Sequence, residues 1–147
     1  MNNTNPPIIV EQVFDKDSET LWAAITDAKQ MPLWFFDNIP AFETQVGFQT
    51  SFLVQSGERS FTHLWEIIEV IPGQKIKYDW RYKEYEGVGF VTFELFEQEE
   101  QRTLLRLSNE GIESFPQDIP EFAKESCQGG WEYFIQGNLL NYINSLP

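Results

Sequence analysis

The sequence is almost without the residues that metal and disulfide sites most often require, since it has one cysteine and one histidine. Cys127 has no second cysteine to pair with, which excludes a disulfide within the chain. His63 and Cys127 lie far apart in sequence, and neither belongs to a zinc-binding or EF-hand spacing. We therefore expect no metal site and no cofactor.

Basic residues are also scarce. The chain has 10 Lys and Arg against 23 Asp and Glu, which gives a formal net charge of −13. A surface of this sign repels phosphate backbones and anionic lipid head groups, so we expect no nucleic-acid partner and no membrane-surface partner. A basic protein partner is compatible with it.

Long apolar runs are missing as well. No stretch approaches the roughly 18 residues that a membrane-spanning helix needs. The segment Met1–Pro7 is polar and lacks the basic region and apolar run of a signal peptide. From these two features we expect a cytoplasmic protein.

Motifs for nucleophilic catalysis and phosphate binding are absent. No serine stands in a Gly-x-Ser-x-Gly elbow, and Cys127 has no local catalytic signature. The sequence Gly87-Val88-Gly89 lacks the downstream pattern of a phosphate-binding loop. We predict no catalytic residue, and we expect a binding protein rather than an enzyme.

Aromatic side chains, in contrast, are abundant: the chain has 5 Trp, 5 Tyr and 13 Phe. Aromatic rings are bulky and stiff, and they suit either a thick core or the wall of a cavity. The sequence therefore raises one main question, which is whether these rings fill the interior or enclose a space.

The order of elements follows from the periodicity of apolar residues. A strand over Ile8–Phe14 precedes a helix that ends near Asp27 and a short second helix over Gln30–Phe35. A period of two then predicts five strands, over Phe48–Gln55, Phe61–Ile71, Lys75–Tyr82, Val88–Glu97 and Arg102–Asn109. The segment from about Glu121 to Ser145 is predicted to be a long helix that buries Trp131, Ile135, Leu139 and Tyr142 on one stripe.

Short connections between the five strands favour antiparallel pairing of neighbours. The final amphipathic helix needs a surface on which to bury its stripe, and the concave face of a curved sheet provides it. We therefore predict an α+β fold in one domain over residues 1–147.

Several short motifs resemble the SRPBCC superfamily, also called START-like. They are closest to the branch homologous to the activator of the heat-shock-protein ATPase. The matching segments are Leu21–Asp27, Trp34-Phe35, Glu69–Pro72, Tyr78–Trp80, Phe93–Leu95, and Gly130-Trp131 with Leu140 and Tyr142. They follow the family's order along nearly the whole chain.

This resemblance implies a helix-grip fold, in which a curved antiparallel sheet of about six strands wraps around a long C-terminal helix. Two short helices follow the first strand, and a deep pocket lies between sheet and final helix. Members of the superfamily bind lipids, sterols, polyketides and other hydrophobic molecules. Some are cyclases or hydroxylase subunits, and the eukaryotic namesake stimulates a chaperone's ATPase.

Aromatic and aliphatic residues that face the predicted pocket are the candidate ligand-binding residues. Because close packing is the rule in protein interiors, the same residues could also fill the space completely. Trp34 and Phe35 belong to a run of three rings, of which at least one is expected to be exposed or to lie at the pocket rim. The candidates are Trp34, Phe35, Tyr78, Trp80, Phe93, Trp131, Phe134 and Ile135.

Three functions remain open at this point. The first is binding or carriage of a small hydrophobic molecule, and the second is interaction with a protein partner such as a chaperone. The third is a cyclase- or hydrolase-like activity, for which Glu66, His63 and Tyr78 are the residues to inspect.

The register of the strand that carries His63 and Glu66 decides which of its residues face inward. A two-residue turn at Pro72-Gly73 places Trp65 opposite Trp80. A three-residue turn places Glu66 opposite Trp80 and directs Glu66 inward, where burial would disfavour its charged form. We favour the second register.

Overall fold

The computed structural model describes residues 6–147. Most of the segment Met1–Pro7, in which no signal peptide is predicted, lies outside the described residues. Six strands form one antiparallel sheet in the order β1-β6-β5-β4-β3-β2. No helix within residues 6–147 is long and apolar enough to cross a membrane. The strands are β1 (Ile8–Phe14), β2 (Gln49–Ser56), β3 (Arg59–Ile71), β4 (Lys75–Tyr82), β5 (Tyr85–Glu97) and β6 (Thr103–Glu110).

The predicted helix after β1 is α1 (Ser18–Thr26). Asp17 caps it, because its carboxylate accepts a hydrogen bond from the Thr20 amide at 3.0 Å. The second short helix is only a 3₁₀ turn, Met31–Leu33, instead of the predicted Gln30–Phe35. The backbone leaves the helical conformation at Trp34, and its indole N–H then donates to the carbonyl of Ala24 at 2.9 Å.

Alternation in the central strands is as predicted. In β4, the side chains of Ile76, Tyr78 and Trp80 are buried, and the residues between them face outward. The inner face of the sheet is the face that the C-terminal helix covers.

A β-bulge resolves the register of β3 against β4. Near the turn, Val70 lies opposite Ile76, as the three-residue turn predicts. The pairing shifts between Ile67 and Glu69, and beyond that point Trp65 lies opposite Trp80, as the two-residue turn predicts. The extra residue in the bulge restores the apolar residues to the inner face.

The prediction of an inward Glu66 is therefore wrong. Glu66 pairs with Asp79 on the outer face of the sheet, and its carboxylate accepts a hydrogen bond from the Gln49 side chain at 3.2 Å. The register change at the bulge is the physical reason, because a shift of one residue exchanges the two faces of a strand.

The C-terminal helix consists of α2 (Lys124–Glu132), a π-helical segment (Tyr133–Leu139) and α3 (Leu140–Asn144), which follow one another without a break. It begins later than predicted, because Pro120–Phe122 forms a 3₁₀ turn of its own. The buried stripe is Trp131, Ile135, Leu139 and Ile143. Ile143 replaces the predicted Tyr142 in this stripe because the wider π-helical turn shifts the later residues around the axis.

The space between helix and sheet has two ends. At the closed end, β4 begins, β6 begins and α3 covers the sheet beside α1. At the open end, β3 begins, β4 and β6 end, and α2 lies above them.

Candidate functional site

A cavity of about 140 Å³ lies at the open end, between the sheet and α2. Strands β3 to β6, the loop between β6 and α2, and α2 itself all contribute to its wall. The residues that line it are Phe36, His63, Trp80, Tyr82, Gly89, Asn109, Ile112, Phe115, Glu121, Phe122, Cys127, Gly130, Trp131 and Phe134.

Aromatic rings make up half of this wall. The Trp80 and Trp131 rings meet edge to face with their centroids 5.7 Å apart. On the opposite side, Phe115 and Phe122 stack at 5.0 Å, and Tyr82 meets Phe115 at 5.2 Å. Edge-to-face and offset contacts of this kind fix the rings relative to one another. The wall is therefore apolar and largely preformed.

Glycine residues lie both on the cavity wall and where the β6–α2 loop packs on β5. A Cβ atom added to Gly130, which is exposed at the cavity mouth, would meet no atom within 4 Å. A Cβ atom on Gly87 would lie 2.6 Å from the carbonyl oxygen of Ser114, and Gly87 has a φ of +113°. Only glycine allows the β6–α2 loop, with Phe115, to pack this closely on β5.

His63 is the main polar group of the wall and is 5% exposed. Its Nδ1 lies 3.0 Å from the carbonyl oxygen of Phe61. A carbonyl oxygen only accepts hydrogen bonds, so Nδ1 carries a proton. Burial lowers the pKa of His63 to about 4, despite the opposing effects of Phe61 and of the negative charge on Glu84. The ring is therefore neutral at pH 7, and Nε2 carries a free lone pair.

Tyr82 is the second polar group. Its hydroxyl oxygen accepts a hydrogen bond from the Trp80 indole N–H at 2.9 Å. Burial raises the pKa of Tyr82, so the hydroxyl keeps its proton at neutral pH. Its ring centroid lies 4.9 Å from that of His63, in an edge-to-face arrangement.

The Asn109 side chain links the cavity wall to the sheet through two hydrogen bonds. Its side-chain oxygen accepts a hydrogen bond from the Trp131 indole N–H at 3.0 Å, and its amide nitrogen donates to the carbonyl of Phe90 at 3.3 Å. These two bonds fix the Trp131 ring relative to the sheet. Asn109 therefore positions an aromatic side chain of the cavity.

Glu121 stands at the rim and joins the β6–α2 loop to β2 and β3. Its carboxylate accepts hydrogen bonds from Arg59 Nε at 2.8 Å and from the Ser56 hydroxyl at 2.7 Å. These two hydrogen bonds lower the pKa of Glu121 to about 2. The loop that covers the cavity is thus attached to the sheet edge by an ionised carboxylate.

A family model described as Activator of Hsp90 ATPase homolog 1-like protein matches residues 15–144. The chain belongs to this family. The assignment and the six-stranded sheet with its C-terminal helix confirm the resemblance and the helix-grip fold predicted from the sequence motifs.

Solved structures agree with the Activator of Hsp90 ATPase homolog 1-like fold. Protein CV1439 from Chromobacterium violaceum is 20% identical, with a TM-score of 0.76 over 96% of this chain and 99% of that chain. PFC0360w, an HSP90 activator from Plasmodium falciparum, is 21% identical, with a TM-score of 0.75 over 95% and 97%. The Aha1 dimer from Colwellia psychrerythraea is 14% identical, with a TM-score of 0.69 over 95% and 96%. No curated protein matches the sequence.

The structure divides the eight predicted ligand-binding residues of this family member into two groups. Trp80, Trp131 and Phe134 line the cavity. The other five lie behind it in the packed core, and each is at most 5% exposed; they are Trp34, Phe35, Tyr78, Phe93 and Ile135. Ligand binding by any of the eight stays a prediction.

The candidates for an enzymatic role do not converge. Glu66 faces outward, and Tyr78 is fully buried and does not line the cavity. His63 alone of the three lines the cavity. Within residues 6–147, no group of three or more His, Cys, Asp or Glu side chains is arranged to hold a metal ion.

Some cavity residues were not predicted. Tyr82 shares a face with Trp80, so the alternation of β4 already contained the signal that places it inside. Phe36 is the member of the three-ring run that reaches the wall, as the rim hypothesis allowed. Phe115 precedes the predicted C-terminal helix in a segment without apolar periodicity, and Phe122 lies at the predicted start of that helix, outside the stripe that was expected to be buried.

Proposed function

We propose that this protein binds a small hydrophobic molecule, about the size of one aromatic ring, in the cavity at the open end. The cavity of about 140 Å³ walled by aromatic rings is the observation that carries the proposal. An engineered apolar cavity of about 150 Å³ in another protein binds benzene, so a volume of this size is enough for one ring. Membership of the family agrees with a ligand-binding role.

The expected affinity is modest. Burial of each CH₂-sized group contributes about 0.8 kcal/mol, so a six-carbon ring gains about 5 kcal/mol at most. This gain corresponds to a dissociation constant of about 0.2 mM. A tighter ligand would have to extend through the mouth beside Gly130 or form hydrogen bonds inside.

A titration with toluene, followed by tryptophan fluorescence, tests the proposal, because Trp80 and Trp131 form part of the wall. The variant Gly130→Leu places a side chain at the cavity mouth and is expected to weaken toluene binding about tenfold or more. This corresponds to a loss of about 1.4 kcal/mol.

Gly129→Leu is the matched control, because Gly129 precedes it on α2, has open space around its Cβ position, and does not line the cavity. Both changes replace a helical glycine and should raise the free energy of unfolding by a similar amount, about 0.5–1 kcal/mol. No saturable toluene binding to the wild type, or equal weakening by both variants, would contradict the proposal.

A second candidate function is interaction with an Hsp90-type chaperone. PFC0360w, which shares the fold, is described as an HSP90 activator. On this chain, Leu33, Leu53 and Tyr133 are 65%, 48% and 64% exposed and border one surface groove. Exposed apolar patches of this kind often mark protein contacts.

The ATPase rate of Hsp90 with and without this protein tests the second candidate. If this protein stimulates the ATPase of Hsp90, the double variant Leu33→Ser/Tyr133→Ser should reduce that stimulation. Ile9→Ser, which changes an apolar residue 49% exposed on β1, should leave it unchanged. Absence of stimulation by the wild type would count against this function, and it would not affect the ligand-binding proposal.

A further inference from the structure

Most polar side chains on the cavity wall already have partners within the protein. Asn109 uses its oxygen for Trp131 and its nitrogen for Phe90. The carboxylate of Glu121 is held by Arg59 and Ser56. The Cys127 thiol points to the Glu121 carbonyl at 3.6 Å, and burial raises its pKa to about 11, so it stays a thiol.

Two hydrogen-bonding positions on the cavity wall are not used by contacts within residues 6–147. His63 Nδ1 binds Phe61, which leaves the Nε2 lone pair as an acceptor. The Tyr82 oxygen accepts the Trp80 N–H, and within residues 6–147 no acceptor receives the hydroxyl proton of Tyr82. The cavity therefore offers one donor and one acceptor.

These two groups lie close together. The His63 and Tyr82 rings are neighbours on the cavity wall, with their centroids 4.9 Å apart in an edge-to-face arrangement. The surrounding rings of Phe36, Phe52 and Trp80 lie within 5.4 Å of the imidazole centroid. A ligand that excludes water from these two positions without replacing its hydrogen bonds costs about 1–3 kcal/mol for each group, so a ligand that supplies both partners is favoured.

The charge of the wall restricts the ligand further. In the described part of the chain, no Lys or Arg is among the residues that line the cavity, and Glu121 is ionised at its rim. An anionic ligand such as a carboxylate would enter without a compensating cation, which is unfavourable in an apolar site. The ligand is therefore expected to be neutral.

We propose that His63 and Tyr82 make the cavity specific for a neutral aromatic compound with a hydroxyl group. The ligand hydroxyl accepts a hydrogen bond from Tyr82 and donates its own proton to His63 Nε2. This proposal rests on the proposed ligand-binding function and adds the chemical class of the ligand. His63 and Tyr82 are then the residues that determine specificity.

Three probes of similar size distinguish the possibilities: phenol, toluene and benzoate. In a purely apolar cavity, toluene would bind more tightly than phenol, because the phenol hydroxyl would lose its hydrogen bonds to water. We expect phenol to bind the wild type at least as tightly as toluene, and benzoate not to bind. Isothermal titration calorimetry measures all three.

Tyr82→Phe removes only the hydroxyl group. It is expected to weaken phenol binding roughly threefold to tenfold, the loss of one hydrogen bond, and not to weaken toluene binding. Tyr85→Phe is the matched control, because Tyr85 pairs with Tyr82 across β4 and β5 but does not line the cavity. It should change neither affinity.

The ¹⁵N signals of the His63 imidazole test the proposal in the wild-type protein, without any variant. The free protein should show a protonated Nδ1 and an unprotonated Nε2, and phenol, but not toluene, should shift the Nε2 signal. A protonated Nε2 in the free protein would overturn the proposal.

Other outcomes separate the two proposals. Toluene binding more tightly than phenol, with phenol binding unaffected by Tyr82→Phe, would overturn the specificity proposal and leave the cavity as an apolar site whose polar pair holds only water. Failure of both toluene and phenol to bind would overturn the ligand-binding function itself.

Discussion

The closed and open ends share one sheet and one helix, and the aromatic-walled cavity lies at the open end. At the closed end, the helix presents Leu139 and Ile143, both fully buried, to a face that includes Ile76 and Leu105. At the open end, the helix contributes the small residues Cys127 and Gly130 to the cavity wall, and β6 contributes the polar residue Asn109. The contrast teaches that the cavity arises from side-chain size along one helix and not from a change of fold.

The covering loop is the other difference. Residues between β6 and α2 extend over the open end, where Phe115 and Phe122 stack and join the wall. Glu121 attaches this loop to Arg59. The closed end is covered instead by α1, whose Leu21 and Ile25 are fully buried in the core. One end is closed by close packing, and the other is partly covered by a loop held at its rim.

The largest expected change in the free energy of unfolding comes from a substitution at the closed end. Leu139→Ala removes a fully buried side chain from close packing and should lower the free energy of unfolding by about 2–5 kcal/mol. Cys127→Ala, at the cavity, should lower it by about 1 kcal/mol or less, because Cys127 already faces empty space on one side. Urea denaturation of both variants measures the difference.

Equal losses for the two variants would mean that the open end is as tightly packed as the closed end. The m-value should stay constant in both, since a change would indicate an altered unfolded or native state instead of a packing effect.

Much of the fold could be predicted because alternation and helical spacing record which face of each element is buried. In β4 the alternation of Ile76, Tyr78 and Trp80 is enough to assign the inner face. The bulge after Ile67 could not be predicted, since each register satisfied only part of β3. The sequence likewise gives no sign of the π-helical segment, so it does not show that Ile143, and not Tyr142, is the buried residue.

The cavity was harder to predict than the sheet. Trp80, Trp131 and Phe134 were found because they face inward, but inward direction does not reveal whether a ring borders space or another ring. Trp34 and Phe35 show the difficulty, since their rings stack 4.7 Å apart within the core. Whether a site is hollow depends on the sum of many side-chain volumes, which no single spacing records.

The next largest effect concerns pH at the open end. His63 is the only histidine, and burial lowers its pKa from about 6.5 to about 4. Between these values the unfolded chain binds a proton that the folded protein does not. The contribution of His63 to the free energy of unfolding is therefore fully present above pH 6.5 and is lost as the pH decreases toward 4. The loss should be roughly 2–4 kcal/mol in total.

His63→Phe isolates this contribution, because a phenyl ring can replace the imidazole among Phe36, Phe52 and Trp80. Denaturation at pH 7.0, 6.0 and 5.0 should show a steep decline for the wild type and a shallower one for the variant. Parallel declines would indicate that carboxylates, and not the open-end histidine, govern the loss. Glu84, the acidic group whose charge acts on His63, remains in both proteins.

The smallest expected changes in the free energy of unfolding concern two tyrosines of β4, one in the packed core and one on the cavity wall. The Tyr78 hydroxyl is one of two buried side-chain polar atoms within residues 6–147 that have no hydrogen-bond partner, whereas the Tyr82 hydroxyl accepts a bond from Trp80. Tyr78→Phe should therefore raise the free energy of unfolding by about 1 kcal/mol.

Tyr82→Phe should have the opposite sign and lower it by about 1 kcal/mol, because it leaves the Trp80 indole N–H without an acceptor. Thermal and urea unfolding of the two variants measure both changes against the same wild type. Destabilisation by Tyr78→Phe would show that its hydroxyl has a partner in solution, such as a buried water. The packed core would then hold a polar site of its own, and the cavity would no longer differ from the core in this respect.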